Sequence, residues 1–256
     1  MISRRTFGGA LLGSAVCMSG TRGRRAWAQA TERILVAGAT GRTGRFVVED
    51  LLRTGHKVRG LTRNPDSARE RLGSDVEWVG GDVKDPASLA PLYSGVDRVI
   101  SVLGATQTTG PNDPESVEYQ GNVNLIDLAK ANSLEQVVMI TSLSAGRVPE
   151  SPELAERFRG MLWKYRSELY LRASGVPYTI VGPGGLRDYD GGTQGIRFYA
   201  PNEIQTGVIS REDVGMVMAE AARTPFAQFK TLRIVNDPDL PPDNWRTSLL
   251  TVPVDS

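Results

Sequence analysis

Three glycines spaced three residues apart constrain the fold of this chain more than any other feature. Gly38, Gly41 and Gly44 follow the apolar run 34–37, and apolar residues resume with helical spacing after them. This order predicts a strand, a tight turn and a helix. Each glycine meets a different need: Gly38 lets the chain reverse, Gly41 lets backbone approach a phosphate, and Gly44 lets the helix pack closely on the strand.

The turn predicts a binding site for the pyrophosphate of a dinucleotide. The first N–H groups of a helix have no partners within the helix, and the positive end of the helix dipole faces the same place. A purely structural turn explains the pattern less well, because a strand precedes the glycines and a helix follows them. The residues expected around the pyrophosphate are Gly38, Thr40, Gly41, Arg42, Thr43 and Gly44.

Predicted strands and helices alternate along the rest of the chain. The expected fold is therefore α/β, a Rossmann-type doubly wound parallel sheet in a single domain with a small C-terminal cap. We place this domain at residues 29–256 and the small substrate cap from about residue 183, and expect the chain from Pro238 to run over the surface. A chain of 256 residues with 40% hydrophobic content can bury one good core but is short for two full domains.

The end of the second predicted strand bears on which dinucleotide binds. Proteins that prefer NAD commonly have an acidic residue there for the ribose 2′-hydroxyl, whereas this chain has Thr62-Arg63-Asn64-Pro65. Arg63 could pair with a 2′-phosphate, and Arg42 could approach the same group. The alternative for Arg63 is a solvated loop arginine. The pattern favours NADP(H) over NAD(H).

Later strand ends supply further candidates. Asp82 could accept a hydrogen bond from an adenine amino group, or it could be an ordinary turn aspartate. Thr141 and Ser142 end the fifth strand, where their hydroxyls would face the reacting end of the cofactor. Asn122, in the middle of a predicted helix, either holds backbone or water beneath the nicotinamide or is simply exposed.

Residues 1–28 have the pattern of an export signal. Arg4 and Arg5 precede a short apolar run rich in small residues, followed by more arginines and Ala-Trp-Ala. Twin arginines before a moderately hydrophobic run are typical of a Tat signal. About a dozen apolar residues are too few for a bilayer span, which needs ~20. We therefore expect an exported, periplasmic protein with no stable membrane span after signal removal, and we disfavour a lipoprotein anchored at Cys17, because Val16 is bulky.

Removal of the signal would change the charge and the available chemistry. Residues 1–28 contain five arginines and no acidic residue, so the remaining chain would have 25 basic and 29 acidic residues. A mildly acidic chain argues against a general nucleic-acid surface. With Cys17 gone there is no cysteine, and His56, the one histidine, lies in a turn expected opposite the ligand crevice. We therefore predict no metal site, and as partners a small-molecule acceptor and a monomeric or homodimeric state.

Together these residues resemble the atypical short-chain dehydrogenase/reductases, an NAD(P)H-binding group that includes NmrA-like proteins and the flavin and biliverdin reductases. The resemblance covers about residues 33–235. It implies that the glycine turn holds the pyrophosphate, that Arg63 takes the 2′-phosphate, and that Gly104 borders the ribose. It therefore supports NADP(H). The matching segments are 38–44, 63–65, 81–83 (with Asp82 and Val83), 102–104 (with Leu103 and Gly104), 141–142, 164–168 and 174–184 (with Pro183).

Two positions depart from this family. Its usual enzymes place a tyrosine four residues before a lysine, so that the ammonium lowers the phenol pKa. Here Gly160 stands four residues before Lys164, and Tyr165 has Leu169 four residues after it. Lys164 could still bind the nicotinamide ribose or could be a surface lysine. Gly182 stands where an arginine is common, which would leave that corner without its usual charge.

The sequence thus predicts a reductase that transfers hydride from NADPH to a small conjugated or aromatic acceptor, such as a quinone, flavin or tetrapyrrole, without the usual Tyr-Lys relay. Water would supply the proton. Ser142 and Lys164 are the catalytic candidates, and Ser144 or Tyr119 could orient the acceptor. The main alternative is a non-catalytic NAD(P)-binding scaffold or redox sensor of the cell envelope. A nucleoside-sugar epimerase is disfavoured, because the segment after residue 185 is short.

Overall fold

An eight-stranded sheet, parallel except at one edge, forms the centre of the molecule. The computed structural model describes residues 32–147, 153, 159–200, 203 and 206–255. The predicted signal at 1–28 lies outside these residues, so the signal and the boundary after it stay predictions. No helix in the described part of the chain is long and apolar enough to cross a membrane.

The strand order of the sheet is β3-β2-β1-β4-β5-β6-β10-β8. All neighbouring strands pair in parallel except β10 and β8, which are antiparallel. A separate two-stranded parallel sheet joins β7 to β9, in the segment where the cap was predicted. The strands are β1 Arg33–Ala37, β2 Lys57–Thr62, β3 Glu77–Gly80, β4 Arg98–Ser101, β5 Gln136–Ile140, β6 Tyr178–Pro183, β7 Gly185–Arg187, β8 Gly195–Tyr199, β9 Val208–Ser210 and β10 Lys230–Asp237.

Helices cover both faces of the large sheet. A π-helix, Glu115–Gln120, leads directly into α4, and short 3-10 helices lie at Ala90–Tyr93 and Pro225–Ala227. The α-helices are α1 Gly44–Arg53, α2 Pro65–Leu72, α3 Pro86–Leu89, α4 Gly121–Ala131, α5 Arg159–Ala173, α6 Arg211–Arg223 and α7 Trp245–Thr251.

The central strand β1 divides the core into two layers. Ile34 and Val36 join one apolar cluster, which includes residues of α1 and α6, and Leu35 and Ala37 join the other, which includes residues of α4 and α5. A strand buried on both faces needs apolar residues at every position rather than at alternate ones. This explains the uninterrupted apolar run before the glycines and confirms the predicted Rossmann-type doubly wound fold.

The glycine turn brings α1 into backbone contact with the end of β1. A Cβ on Gly44 would lie 2.1 Å from the carbonyl oxygen of Gly38. Gly38 itself has a φ of +83°, and a Cβ there would lie 2.5 Å from the carbonyl oxygen of Val102. The sequence-based prediction that these two positions need glycine is therefore confirmed, one for close packing and the other for chain reversal.

The C-terminal region differs from the prediction. Residues after Pro238 do not only run over the surface, because they form α7, whose Trp245 is 2% exposed. The antiparallel strand β8 was not predicted either. Ile196 of β8 and Trp245 belong to the same apolar cluster as α1 and α6, so this region completes the core beside β10.

His56 lies between α1 and β2, at the edge of the sheet opposite the glycine turn, as predicted. Its Nδ1 is 3.1 Å from the hydroxyl oxygen of Thr54. Burial, followed by the positive charge of Arg223, lowers the pKa of His56 below its ordinary value. The folded protein therefore favours the neutral ring.

We predict that Gly44→Ala lowers the stability of the fold. The added methyl group would collide with backbone rather than with a flexible side chain, and overpacking of this kind costs roughly 1–3 kcal/mol. Gly104→Ala is the matched control, because a Cβ at Gly104 would have no atom within 4 Å. Urea unfolding of both variants measures the difference. Equal stabilities would contradict the close-packing role of Gly44.

A second prediction concerns pH. Because the folded-state pKa of His56 is lowered, acidification below its unfolded value of about 6.5 favours the unfolded state, which takes up the proton more readily. His56→Gln should therefore lose less stability than the wild type between about pH 7.5 and pH 5. Since the chain has one histidine, the two curves of unfolding free energy against pH isolate its contribution. Parallel curves would show that the folded state does not disfavour the charged ring.

Candidate functional site

A cavity of about 670 Å³ opens at the carboxyl edge of the large sheet. It lies where the strand order changes direction, because the chain passes from β1 to β2 on one side and later returns to β4 on the other. Ligands of open α/β sheets bind at such a switch point. Most of the predicted site residues line this cavity: Gly38, Thr40, Gly41, Arg42, Thr43, Gly44, Arg63, Asp82, Val83, Leu103, Gly104, Thr141 and Lys164.

The start of α1 has the electrostatics of an anion site. The N–H of Gly41 donates to the carbonyl of Gly38 at 2.9 Å and closes the turn. The first turn of α1 contains no acidic residue, so no carboxylate of the helix competes for its positive end. The turn therefore fits a pyrophosphate.

Arginines from two elements lie beside the end of β2. Arg63 follows the strand, and Arg71 lies on α2 together with Ser67, and all three line the cavity. Neither arginine forms an ion pair with a residue that the structure describes. Ser67 and Arg71 were not predicted, although they lie three and seven residues after Asn64, a spacing that places them on one helix face.

Arg42 is already engaged by the cap segment. Its guanidinium pairs with the carboxylate of Asp188, which follows β7. The other oxygen of Asp188 accepts from Arg211 at 2.7 Å, at the start of α6. The glycine turn, the cap segment and α6 therefore meet at one carboxylate.

Asp82 behaves in the structure as a turn aspartate that also lines the cavity. Its Oδ1 accepts from the backbone N–H of Lys84 at 2.9 Å. The Lys84 ammonium donates to the carbonyl of Pro111 at 3.0 Å and to the side chain of Asn112 at 3.1 Å. Lys84 and Asn112, which sequence analysis did not single out, thus tie the loop after β4 to the crevice.

Asn122 is buried beneath the cavity and does not line it. Its side chain, 4% exposed, accepts from the Ser101 hydroxyl at 2.5 Å and donates to the carbonyl of Glu118 at 2.6 Å. The exposed alternative is wrong, because the amide holds backbone instead. Asn122 thereby fixes the end of β4 against the π-helix.

Lys164 extends from α5 into the cavity beside a carboxylate. Its Nζ lies 3.0 Å from Oε1 of Glu118, which also accepts from the N–H of Ala105 at 2.9 Å. The Lys164 side chain is only 14% exposed, so the surface-lysine alternative does not hold. Glu118 was not predicted, because its partner Lys164 is 46 residues away and such a contact leaves no local pattern in the sequence.

Position 182 has a glycine where an arginine is common, and a guanidinium from the neighbouring strand β10 occupies that corner. A Cβ on Gly182 would lie 2.3 Å from Nη1 of Arg233 on β10. This guanidinium, 3% exposed, donates to Glu168 at 2.7 Å and to the backbone carbonyl of Ser142 at 2.8 Å. The expectation of an uncharged corner is wrong, because the glycine makes room for Arg233.

Four remaining candidates are not among the residues that line the cavity: Ser142, Ser144, Tyr119 and Pro183. The hydroxyl oxygen of Ser142 accepts from the N–H of Ser144 at 3.2 Å. The ring of Tyr119 lies 5.6 Å from that of Trp163, centroid to centroid. Pro183 ends β6 behind the Arg233 corner. The Thr141 hydroxyl does line the cavity and accepts from Arg233 at 3.1 Å.

Comparisons with known proteins agree with this geometry. A model of NAD(P)H-binding proteins matches residues 38–225. The chain is 32% identical to an uncharacterised chloroplastic protein of Arabidopsis thaliana, over 80% of this chain and 70% of that protein. It is 27% identical to sanguinarine reductase of Eschscholzia californica, over 80% and 89% of the two chains.

Solved structures share the fold. ChuY, an anaerobillin reductase of Escherichia coli O157:H7, superimposes with a TM-score of 0.67 at 24% identity, over 81% of this chain and 98% of that one. Likeness at this identity shows the fold alone. The family match, however, covers well over half of the sequence and begins at the first glycine of the turn. This chain belongs to the NAD(P)H-binding protein family.

Proposed function

We propose that this protein is an NADPH-dependent reductase of a small conjugated or aromatic acceptor. The observation that carries the proposal is a dinucleotide crevice with its glycine turn and basic end in place, beside a helix that has Gly160 where a catalytic tyrosine would stand. One of the relatives by sequence is named sanguinarine reductase, which supports the same class of reaction.

In this proposal each part of the crevice binds one part of NADPH. The glycine turn and the start of α1 hold the pyrophosphate, and Arg63 and Arg71 pair with the 2′-phosphate. Gly104 approaches the ribose, where its missing side chain leaves open space. Thr141 and Lys164 border the nicotinamide end. When bound, the dinucleotide supplies the hydride.

Apolar side chains favour a flat, conjugated acceptor. Four apolar residues line the cavity, from the loop after β4, the π-helix, the end of β5 and the middle of β7: Leu103, Val117, Ile140 and Leu186. Such a surface contributes binding energy in proportion to the apolar area that it removes from water. Ser142 lies at the same edge of the sheet, where it could orient a polar group of the acceptor.

The alternative is an NAD(P)-binding scaffold or redox sensor that does not turn over. Gly160 is equally consistent with this alternative, since a chain without the tyrosine can bind the cofactor but lacks the usual proton donor.

We also propose that the protein is exported to the periplasm through its N-terminal twin arginines. Tat export carries folded proteins, so either function is compatible with cofactor loading before export.

Turnover of an acceptor panel tests the proposed function. Purified protein with NADPH and a series of quinones, flavins and enals should oxidise NADPH above the acceptor-free rate with at least one compound, measured by loss of its absorbance. Dinucleotide binding without oxidation by any acceptor would favour the sensor. Failure to bind either dinucleotide would remove both functions.

Arg63→Asp tests the choice of dinucleotide. Loss of a charge-assisted hydrogen bond costs about 1.5–3 kcal/mol, so NADPH affinity should fall roughly tenfold or more, whereas NADH affinity should change much less. Arg69→Asp is the matched control, because Arg69 is exposed on α2, pairs with Asp66 and does not line the cavity. Calorimetric titration of both dinucleotides gives the two ratios. Equal losses for NADPH and NADH in Arg63→Asp would contradict the phosphate role.

A further inference from the structure

A carboxylate lies beside the position where the usual tyrosine would begin. A Cβ built on Gly160 is 3.9 Å from Oε2 of Glu118. The other oxygen of the same carboxylate, Oε1, is 3.0 Å from Nζ of Lys164. Lys164 therefore has a carboxylate from the π-helix as its neighbour, in place of a phenol from its own helix.

The backbone around Glu118 is fixed from two sides. Its carbonyl oxygen accepts from the Asn122 amide at 2.6 Å and from the Ser167 hydroxyl of α5 at 2.7 Å. The residue lies in the π-helix Glu115–Gln120, a rare geometry that occurs frequently at functional sites. The position of this carboxylate is thus set by α4, α5 and an unusual helical turn together.

The Glu118 carboxylate is not fully satisfied. The residue is 7% exposed, and Oε1 accepts from both Lys164 and the N–H of Ala105. Its Oε2 is buried and has no hydrogen-bond partner among the residues that the structure describes. Leaving a buried charged oxygen unpaired is costly, so its presence calls for an explanation, and a catalytic role is one of them. Its partner Lys164 lines the cavity, so one member of the pair is accessible to a ligand bound beside it.

We propose that Glu118 and Lys164 are the proton-delivering pair of this reductase, with Lys164 as the catalytic donor and Glu118 as the positioning residue that holds its ammonium at the acceptor. This inference rests on the proposed function. An ammonium held by a buried carboxylate has a defined direction, which a general acid needs in order to reach its acceptor.

The reaction balances with water as the final proton source. One acceptor, one NADPH and one proton give the reduced acceptor and NADP⁺. An acceptor carbon gains a C–H bond with the electron pair of the hydride, and the conjugated oxygen or nitrogen gains a proton as an N–H bond of Lys164 breaks. Lys164 is left as a neutral amine and recovers a proton from water.

The test compares acceptors that differ in their need for a proton. A neutral enal or quinone needs hydride and a proton, whereas an N-methylquinolinium cation needs the hydride alone. Glu118→Gln, which keeps the shape and an oxygen that can accept from Ala105, should lower kcat for the neutral acceptor about 10²-fold or more. It should leave the KM for NADPH and turnover of the cation nearly unchanged. Glu115→Gln is the matched control, exposed on the same π-helix.

A second measurement does not require turnover. In Glu118→Gln the ion pair that holds the Lys164 nitrogen against the π-helix is lost, so this nitrogen becomes more accessible to a reagent in the cavity. An amine-labelling reagent followed by mass spectrometry should therefore modify Lys164 faster in Glu118→Gln than in the wild type or in Glu115→Gln. Unchanged labelling of Lys164 would overturn the pairing, whether or not the cation is a substrate.

The outcomes separate the two proposals. If the wild type reduces no acceptor, the proposed function fails and proton delivery fails with it. If the wild type is active but Glu118→Gln slows both acceptors equally, or neither, the reductase stands and this inference alone is overturned. Selective loss with the neutral acceptor, together with faster labelling of Lys164, supports it.

Discussion

The site depends on a backbone contact between α1 and the turn after β1. Because neither Gly38 nor Gly44 carries a side chain, the helix begins so close to the edge of the sheet that a single methyl group would collide with backbone. This contact places the helix N-terminus at the switch point between β2 and β4, where strand ends from both sides converge. Around that position the crevice is lined by three kinds of polar group: the Arg71 guanidinium from α2, the Thr141 hydroxyl after β5 and the Lys164 ammonium from α5.

Buried charge fixes the far edge of the crevice. Arg233 and Glu168 are both buried, and such a pair offsets its desolvation cost only when further hydrogen bonds satisfy it. Here the same guanidinium also donates to Thr141 and to the backbone of Ser142, so it holds the end of β5 in place. Its Nε nonetheless has no partner among the described residues, so the pair is constrained mainly by its terminal nitrogens. The arrangement needs glycine at position 182, because a Cβ there would occupy the space of the Arg233 guanidinium. The end of β5 is therefore held by a side chain from β10.

Local patterns predicted the parts of the fold that local chemistry determines. The apolar run of β1 and the glycine turn follow from burial on both faces and from backbone freedom. Strand β8 and helix α7 could not be predicted from local patterns. Strand β8 forms by antiparallel pairing with β10, and α7 packs on the core through Trp245. The same applies to the site. Thirteen predicted residues line the cavity, but the partners of Lys164 and Thr141 come from segments far along the chain, and residue spacing carries no signal of such contacts.

The ion pair of Arg42 with Asp188 gives the cofactor site a thermodynamic link to the cap. An anion that draws Arg42 away from Asp188 exchanges one counter-ion for another, so this arginine contributes less net binding energy than its charge suggests. The same exchange would remove this contact between the segment after β7 and the glycine turn, while Asp188 would stay paired with Arg211. Coupling of this kind is reciprocal, so a ligand that repositions the cap would alter dinucleotide affinity by an equal factor. Because the pair is largely exposed, that coupling amounts to about 1 kcal/mol or less.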